Sequence, residues 1–164
     1  MKSMNDYINE YTNQLKKGHI QKAYKGILSF MSGLKTYLEK RHTDYTSGAL
    51  YFGYMDMTYF AFTPVALKEK SLKIGVVYLH EENRFEVWLA GSNRRIQAEY
   101  IEKMRYMDLR EYWLSEIKPG VDSIISRQIV EQPDFDQPED LMQIIESKTI
   151  EFIEDVLEMI FKMD

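Results

Sequence analysis

Two runs, Leu72 to His80 and Arg84 to Ala90, are separated by only Glu81-Glu82-Asn83. Extended-type residues on either side of a short polar loop predict an antiparallel β-hairpin. That pair commits the chain to a sheet, and the other segments must be arranged around it. The first run is apolar on both faces at its centre, with Ile74, Val76 and Tyr78 against Val77 and Leu79, which predicts a central strand. The second run alternates. Phe85, Val87 and Leu89 fall on one face, and Arg84, Glu86, Trp88 and Ala90 on the other.

Two helices are predicted ahead of the sheet. Residues 3 to 17 carry Tyr7, Ile8, Tyr11 and Leu15 at helical spacing, with Gly18 as the stop. Residues 19 to 41 carry a continuous stripe from Ile20 through Met31 to Leu38. Gly26 and Gly33 lie on one side of it, and each costs up to about 1 kcal/mol against alanine, which suggests close approach of another backbone.

Leu50 to Phe62 holds six aromatic residues and one carboxylate, Asp56. Without an Asn-Gly or Asp-Gly turn signal, it is read as one long strand bent at Gly53, in preference to two strands turning near Asp56. Pro64 to Lys70 is read as a polar turn or a single helical turn.

After the hairpin, Ser92 is the expected N-cap of a helix with Ile96, Tyr100, Met104 and Met107 buried. A short helix is expected over 108–116, and a strand over 121–130. The last helix is expected to open with a capping box of Asp136 and Glu139 and to run to Met163, with Glu146, Glu151, Glu154, Asp155 and Glu158 on its solvated face. The order α-α-β-β-β-α-(α)-β-α predicts one α+β domain over residues 1–164, with a mainly antiparallel sheet of four to five strands and helices packed on it.

Composition narrows the function. The 164 residues include no cysteine, so disulfides, thiolate metal sites and a cysteine nucleophile are excluded. Net charge is −5 and the isoelectric point near 5.3, which disfavours a nucleic-acid partner. No secretory signal and no membrane-length apolar run are legible, and with the missing cysteine this gives a cytoplasmic expectation. The three histidines (His19, His42, His80) lack metal-ligand spacing, no nucleotide-loop or nucleophile-elbow motif is present, and no cofactor is named. Ten methionines serve a core, or mark an adaptable surface.

Three features break a local rule. Asp56 stands among aromatics, where a carboxylate must be paired or must cap a bend. Glu86 and Trp88 share a strand face with Arg84. Arg94 and Arg95 open a helix, against its dipole, where they either bind an anion or form ion pairs such as Arg95 with Glu99.

Element order over about residues 19 to 131 is similar to that of the PD-(D/E)XK nucleases. The resemblance implies Mg²⁺ held by an acidic pair, but the strand position for lysine is Trp88 and the Asp would have to be Asp56. The segments Leu-Tyr-Phe-Gly-Tyr-Met-Asp-Met-Thr-Tyr-Phe (50–60), Tyr78-Leu79-His80-Glu81 and Phe85 to Gly91 together resemble a family of short, uncharacterised bacterial proteins. That resemblance covers most of the chain and implies a bacterial, cytoplasmic protein without supplying an activity.

The leading expectation is a non-catalytic domain that binds a protein partner or a small anionic ligand through Tyr54, Asp56, Glu86, Trp88, Arg94 and Arg95. The alternatives are a divergent metal-dependent nuclease or phosphodiesterase using Asp56 and Glu86, and a structural homodimer joined through the glycine-bearing helix or exposed methionines.

Overall fold

The computed structural model describes residues 1–163. Two helices, α1 (Met4–Lys17) and α2 (His19–Arg41), meet at Gly18, whose φ of 79° ends the first and starts the second. Then come β1 (Tyr45–Ser47), β2 (Met57–Pro64), a one-turn α3 (Val65–Lys68), β3 (Leu72–Leu79) and β4 (Arg84–Gly91). The chain finishes with α4 (Arg94–Met104), β5 (Trp113–Leu114), β6 (Ser123–Glu131) and α5 (Pro138–Met163).

The six strands form one sheet in the order β1-β2-β3-β4-β6-β5, antiparallel throughout. The fold is therefore α+β, with one strand more than the upper expectation. The addition comes from β1 and β5, whose three and two residues carry too little periodicity to be read. The hairpin is as predicted. Asn83 takes the left-handed conformation (φ 49°) that closes its loop, and β3 lies inside the sheet between β2 and β4.

The side-chain alternation sorts the sheet into two faces. Phe60 and Phe62 of β2, Ile74 and Val76 of β3, and Phe85, Val87 and Leu89 of β4 are buried. They join one hydrophobic cluster with Met31, Leu34 and Leu38 of α2 and Ile145, Phe152, Ile153 and Val156 of α5. On the alternate face Val77 and Glu86 are buried, while Met57, Tyr59, Ala61, Lys73, Gly75, Trp88 and Ala90 keep some exposure.

Several expectations are corrected. Leu50 to Phe62 is not one bent strand. The chain runs out through β1 to Tyr51 and returns along β2, with Tyr51 bridging Tyr59 in antiparallel fashion. Gly53 (φ 79°) and Met55 (φ 65°) are left-handed and make the reversal without an Asn-Gly signal. Asn93, not Ser92, caps α4, its Oδ1 accepting from the Ile96 amide at 2.8 Å. The helix expected over 108–116 is absent. The segment turns, with Arg110 left-handed (φ 56°), and then contributes β5.

Asp136 and Glu139 form no capping box, since α5 starts at Pro138 and Asp134 Oδ1 takes the Asp136 amide at 3.0 Å. The acidic residues of α5 are also not all bathed in solvent. Glu146 accepts from Arg41 at 2.6 Å and lies 2.9 Å from His42 Nε2, and Asp155 accepts from Arg110 and Tyr112. These contacts fasten α5 to α2 and to the segment before β5. Of the two helix glycines, Gly33 meets only the Met142 methyl and Gly26 meets nothing, so no backbone approaches either.

The α1 stripe is not buried. Tyr7, Ile8 and Tyr11 are each about half exposed, and α1 packs on α2.

Candidate functional site

The partly exposed sheet face holds a groove of about 340 Å³. Its shape comes from one row of residues across the sheet. Ala61 pairs with Gly75, Gly75 with Trp88, Trp88 with Ser126, and Ser126 with Trp113. Ala61 and Gly75 put the two smallest side chains side by side, so the sheet backbone is the floor at that point.

A tryptophan directly across from a glycine often lies over it. Here it does not. A Cβ built on Gly75 would meet only the Val77 methyl, at 3.7 Å, with no indole atom within 4 Å. Trp88 leans along its own strand instead, and its Nε1 donates to Glu86 Oε1 at 2.8 Å. Glu86 Oε2 in turn accepts from Arg84 Nε at 2.6 Å. Arg84, Glu86 and Trp88 thus form a chain along one strand face, residues i, i+2 and i+4. The nearly buried Glu86 has both oxygens engaged, which answers its desolvation. Its effect is to hold the indole aside and leave the space above Gly75 open.

The end of the groove near α4 is polar. Arg94 donates to Gln97 Oε1 at 2.9 Å and to the Val121 carbonyl, and lies 3.2 Å from Asp122. The buried Gln97 donates to the Val121 and Ser123 carbonyls at 2.8 and 3.0 Å, tying α4 to the start of β6. Lys73 enters the groove from β3 and has no acidic partner among the described residues. Asp122, paired with Arg94, is the one carboxylate among the lining residues.

Of the six residues singled out from sequence, Trp88 and Arg94 line this groove and Glu86 positions Trp88. Tyr54, Asp56 and Arg95 lie elsewhere. Tyr54 is 90% exposed in the turn before β2. Arg95 faces solvent near Glu99, at 4.0 Å, the pairing its i,i+4 spacing suggested. Asp56 caps the same turn as Tyr54. Its carboxylate accepts the Tyr54 amide at 2.9 Å, and this bond, with that of the Met57 amide, holds its carboxyl below the usual range.

Asp56 and Glu86 therefore do not share a site. Glu86 stands opposite Val77, and Val77 opposite Tyr59, so two strand spacings, roughly 10 Å, separate the β2 and β4 positions. No group of three His, Asp or Glu able to hold a metal occurs among the described residues. The acidic pair of a nuclease is not assembled.

Sequence reasoning did not place Tyr59, Lys73 or Gly75 among the six candidate residues. The available signal was the glycine inside an otherwise apolar strand, which marks close approach of a ligand or another backbone.

The 52–56 turn is pinned from below. Thr58 Oγ1 donates to the Phe52 carbonyl at 2.6 Å and lies 2.8 Å from His80 Nε2. With its proton on Phe52, the hydroxyl accepts from His80 Nε2–H, so Nδ1 is the nitrogen that titrates. Burial lowers the His80 pKa, while Asp56 opposes that shift. A histidine with a lowered folded-state pKa costs no stability above the unfolded value of about 6.5 and costs some as pH falls below it, because the unfolded chain takes the proton first. Unfolding free energy is expected to decline from pH 6.5 towards 5, and to decline less in His80→Gln. Urea titrations at three pH values read both, and equal slopes would exclude the assignment.

The fold and groove define an α+β domain whose antiparallel sheet is a core on one face and a lined hollow on the other. The chain belongs to the family described as Domain of unknown function (DUF7000), whose model matches residues 4–160. Membership agrees with the resemblance carried by residues 50–60 and the hairpin. No curated protein and no solved structure matches the chain. Among the described residues, no helix is long and apolar enough to cross a membrane.

Proposed function

We propose that this chain is a non-catalytic binding domain that takes a small anionic ligand in the groove of the sheet. The observation that carries this reading is the position of Trp88. Glu86 holds its indole off Gly75, so an apolar, aromatic-sided space stays open beside Lys73 and Arg94. Concave sites with a few converging polar groups are where small molecules bind. An unpaired ammonium beside such a space favours an anion, in a chain that is otherwise net negative.

A thermal-shift screen with phosphates, nucleotides, and aromatic and aliphatic carboxylates tests the reading. A ligand at a hundred times its Kd adds about 2.7 kcal/mol, which raises Tm by roughly 5–10 °C in a chain of this size. Lys73→Ala is expected to weaken the hit about tenfold, the contribution of one charge-assisted hydrogen bond. Arg95→Ala is expected to leave it unchanged. No stabilisation by any panel member, or equal stabilisation of Lys73→Ala, would remove the basis for the reading.

A further inference from the structure

A second hollow, of about 350 Å³, adjoins the groove and shares Ala61, Lys73 and Ser92 with it. Its lining has a different chemistry. Lys68, at the end of α3, lines it together with Thr46, Ser71 and Ser92. The Ser92 amide donates to the Ser71 carbonyl at 2.9 Å, which holds the two serines side by side.

Three facts describe what this hollow can accept. Lys68 and Lys73 have no ion-pair partner among the described residues. The Thr46, Ser71 and Ser92 hydroxyls make no hydrogen bond there either, whereas those of Ser47 and Thr63 are already engaged by Glu39 and the Ile74 amide. No aspartate or glutamate lines the hollow. It thus gathers two ammonium groups and three uncommitted hydroxyls within a chain of net charge −5.

A carboxylate has two oxygens and one charge, and would leave part of this set unused. A phosphate monoester has three terminal oxygens and a charge near −2, and can take several charged and hydroxyl donors at once. The aromatic end lies next to it. Lys73 and Gly75 are two residues apart on the same face of β3, so the cationic position is only about 7 Å along the strand from the Gly75 floor beside Trp88.

From this juxtaposition we infer that the ligand is a phosphate monoester of a planar heteroaromatic compound, of the mononucleotide type. The phosphate sits between Lys68 and Lys73 with the Ser71 and Ser92 hydroxyls. The ring lies over Gly75 between Tyr59 and Trp88. Lys73 stands at the junction of the two hollows and serves both. The inference rests on the binding reading above and adds to it the class of ligand and the role of Lys68.

Isothermal titration of the full chain with matched pairs decides it: adenosine 5′-monophosphate against adenosine, flavin mononucleotide against riboflavin, and inorganic phosphate alone. In at least one pair the phosphorylated member is expected to bind tenfold or more tightly than its partner. Lys68→Ala, an exposed position on a one-turn helix, is expected to cut that ratio about tenfold, with Tm and the affinity of the unphosphorylated member unchanged. Equal affinity within every pair overturns the inference, as does a ratio that survives Lys68→Ala. If aromatic carboxylates bind the groove while the phosphate adds nothing, the ligand class is wrong and the binding domain stands. If no probe of either kind binds, both fall.

Discussion

Phe85→Ala is expected to destabilise the protein by about 3–5 kcal/mol, the range for removing a large aromatic side chain from a packed core. Phe85 is fully buried, and its ring lies 5.7 Å from Phe30 of α2, 5.0 Å from Tyr78 of β3 and 6.0 Å from Phe135 before α5. One side chain thus touches a helix, the neighbouring strand and the approach to the last helix. Phe30 and Tyr78 also meet Phe135 edge-on, so the four rings are a set that cannot collapse on a cavity without moving three elements. Domains have roughly 5–15 kcal/mol in total, so the variant is expected at the margin of folding. Urea titration measures it, with a lower midpoint and an unchanged slope. A loss under about 1 kcal/mol would mean that α2 and α5 do not cover this face as described.

The second large effect lies on the opposite face, one strand away. Gly75→Val is expected to weaken ligand binding strongly without weakening the fold. Gly75 is not in the left-handed region, and an added Cβ meets only the Val77 methyl at 3.7 Å, ordinary contact. Glycine inside a strand costs roughly 0.5–1 kcal/mol relative to alanine, and β-branched residues suit the pleat. Stability is therefore expected to hold or to rise by up to about 1 kcal/mol. The new isopropyl group stands on the groove floor beside Trp88, and ligand affinity is expected to fall roughly ten- to a hundredfold from overlap. Thermal denaturation and calorimetry on the same preparation read the two halves. A gain in stability together with a loss of affinity would give this glycine a use outside folding.

The two-faced character of this sheet was largely legible from residues. Phe85, Val87 and Leu89 against Glu86, Trp88 and Ala90 give the faces of β4 directly, because the strand period is two and one face is buried. The long helices were legible for the same reason at a period near 3.6. The misreadings fall where local pattern carries little information. β1 and β5 are too short to show a period, and their pairing is set by neighbours. The turn before β2 uses left-handed Gly53 and Met55 with an Asp56 cap in place of an Asn-Gly pair.

For the site, the strand spacing gave Glu86 and Trp88 a common face, and Arg94 was visible as a cation at a helix start. What the spacing did not give was the direction of the indole, which depends on Glu86 being shared with Arg84. Lys68 and Ser71 come from the tight connection between β2 and β3, and Tyr59 from a strand whose limits were misjudged. Their convergence exists only once the sheet is assembled. Asp56 was the opposite case. It looked exceptional in sequence because its neighbours are aromatic, but those aromatics flank an exposed turn, and the carboxylate serves the backbone there.

Whether the uncovered sheet face is a binding surface is tested most directly by the fluorescence of Trp88. The chain has two tryptophans, and Trp113 is 69% exposed, so Trp113→Phe isolates the groove indole with little effect on packing. Titration of that protein with the phosphorylated and carboxylate probes is predicted to give a saturable change in Trp88 emission for at least one of them, displaced at least tenfold to higher concentration in the same protein carrying Gly75→Val. Flat titrations across the panel, or identical curves with and without the valine, would contradict a ligand groove over Gly75.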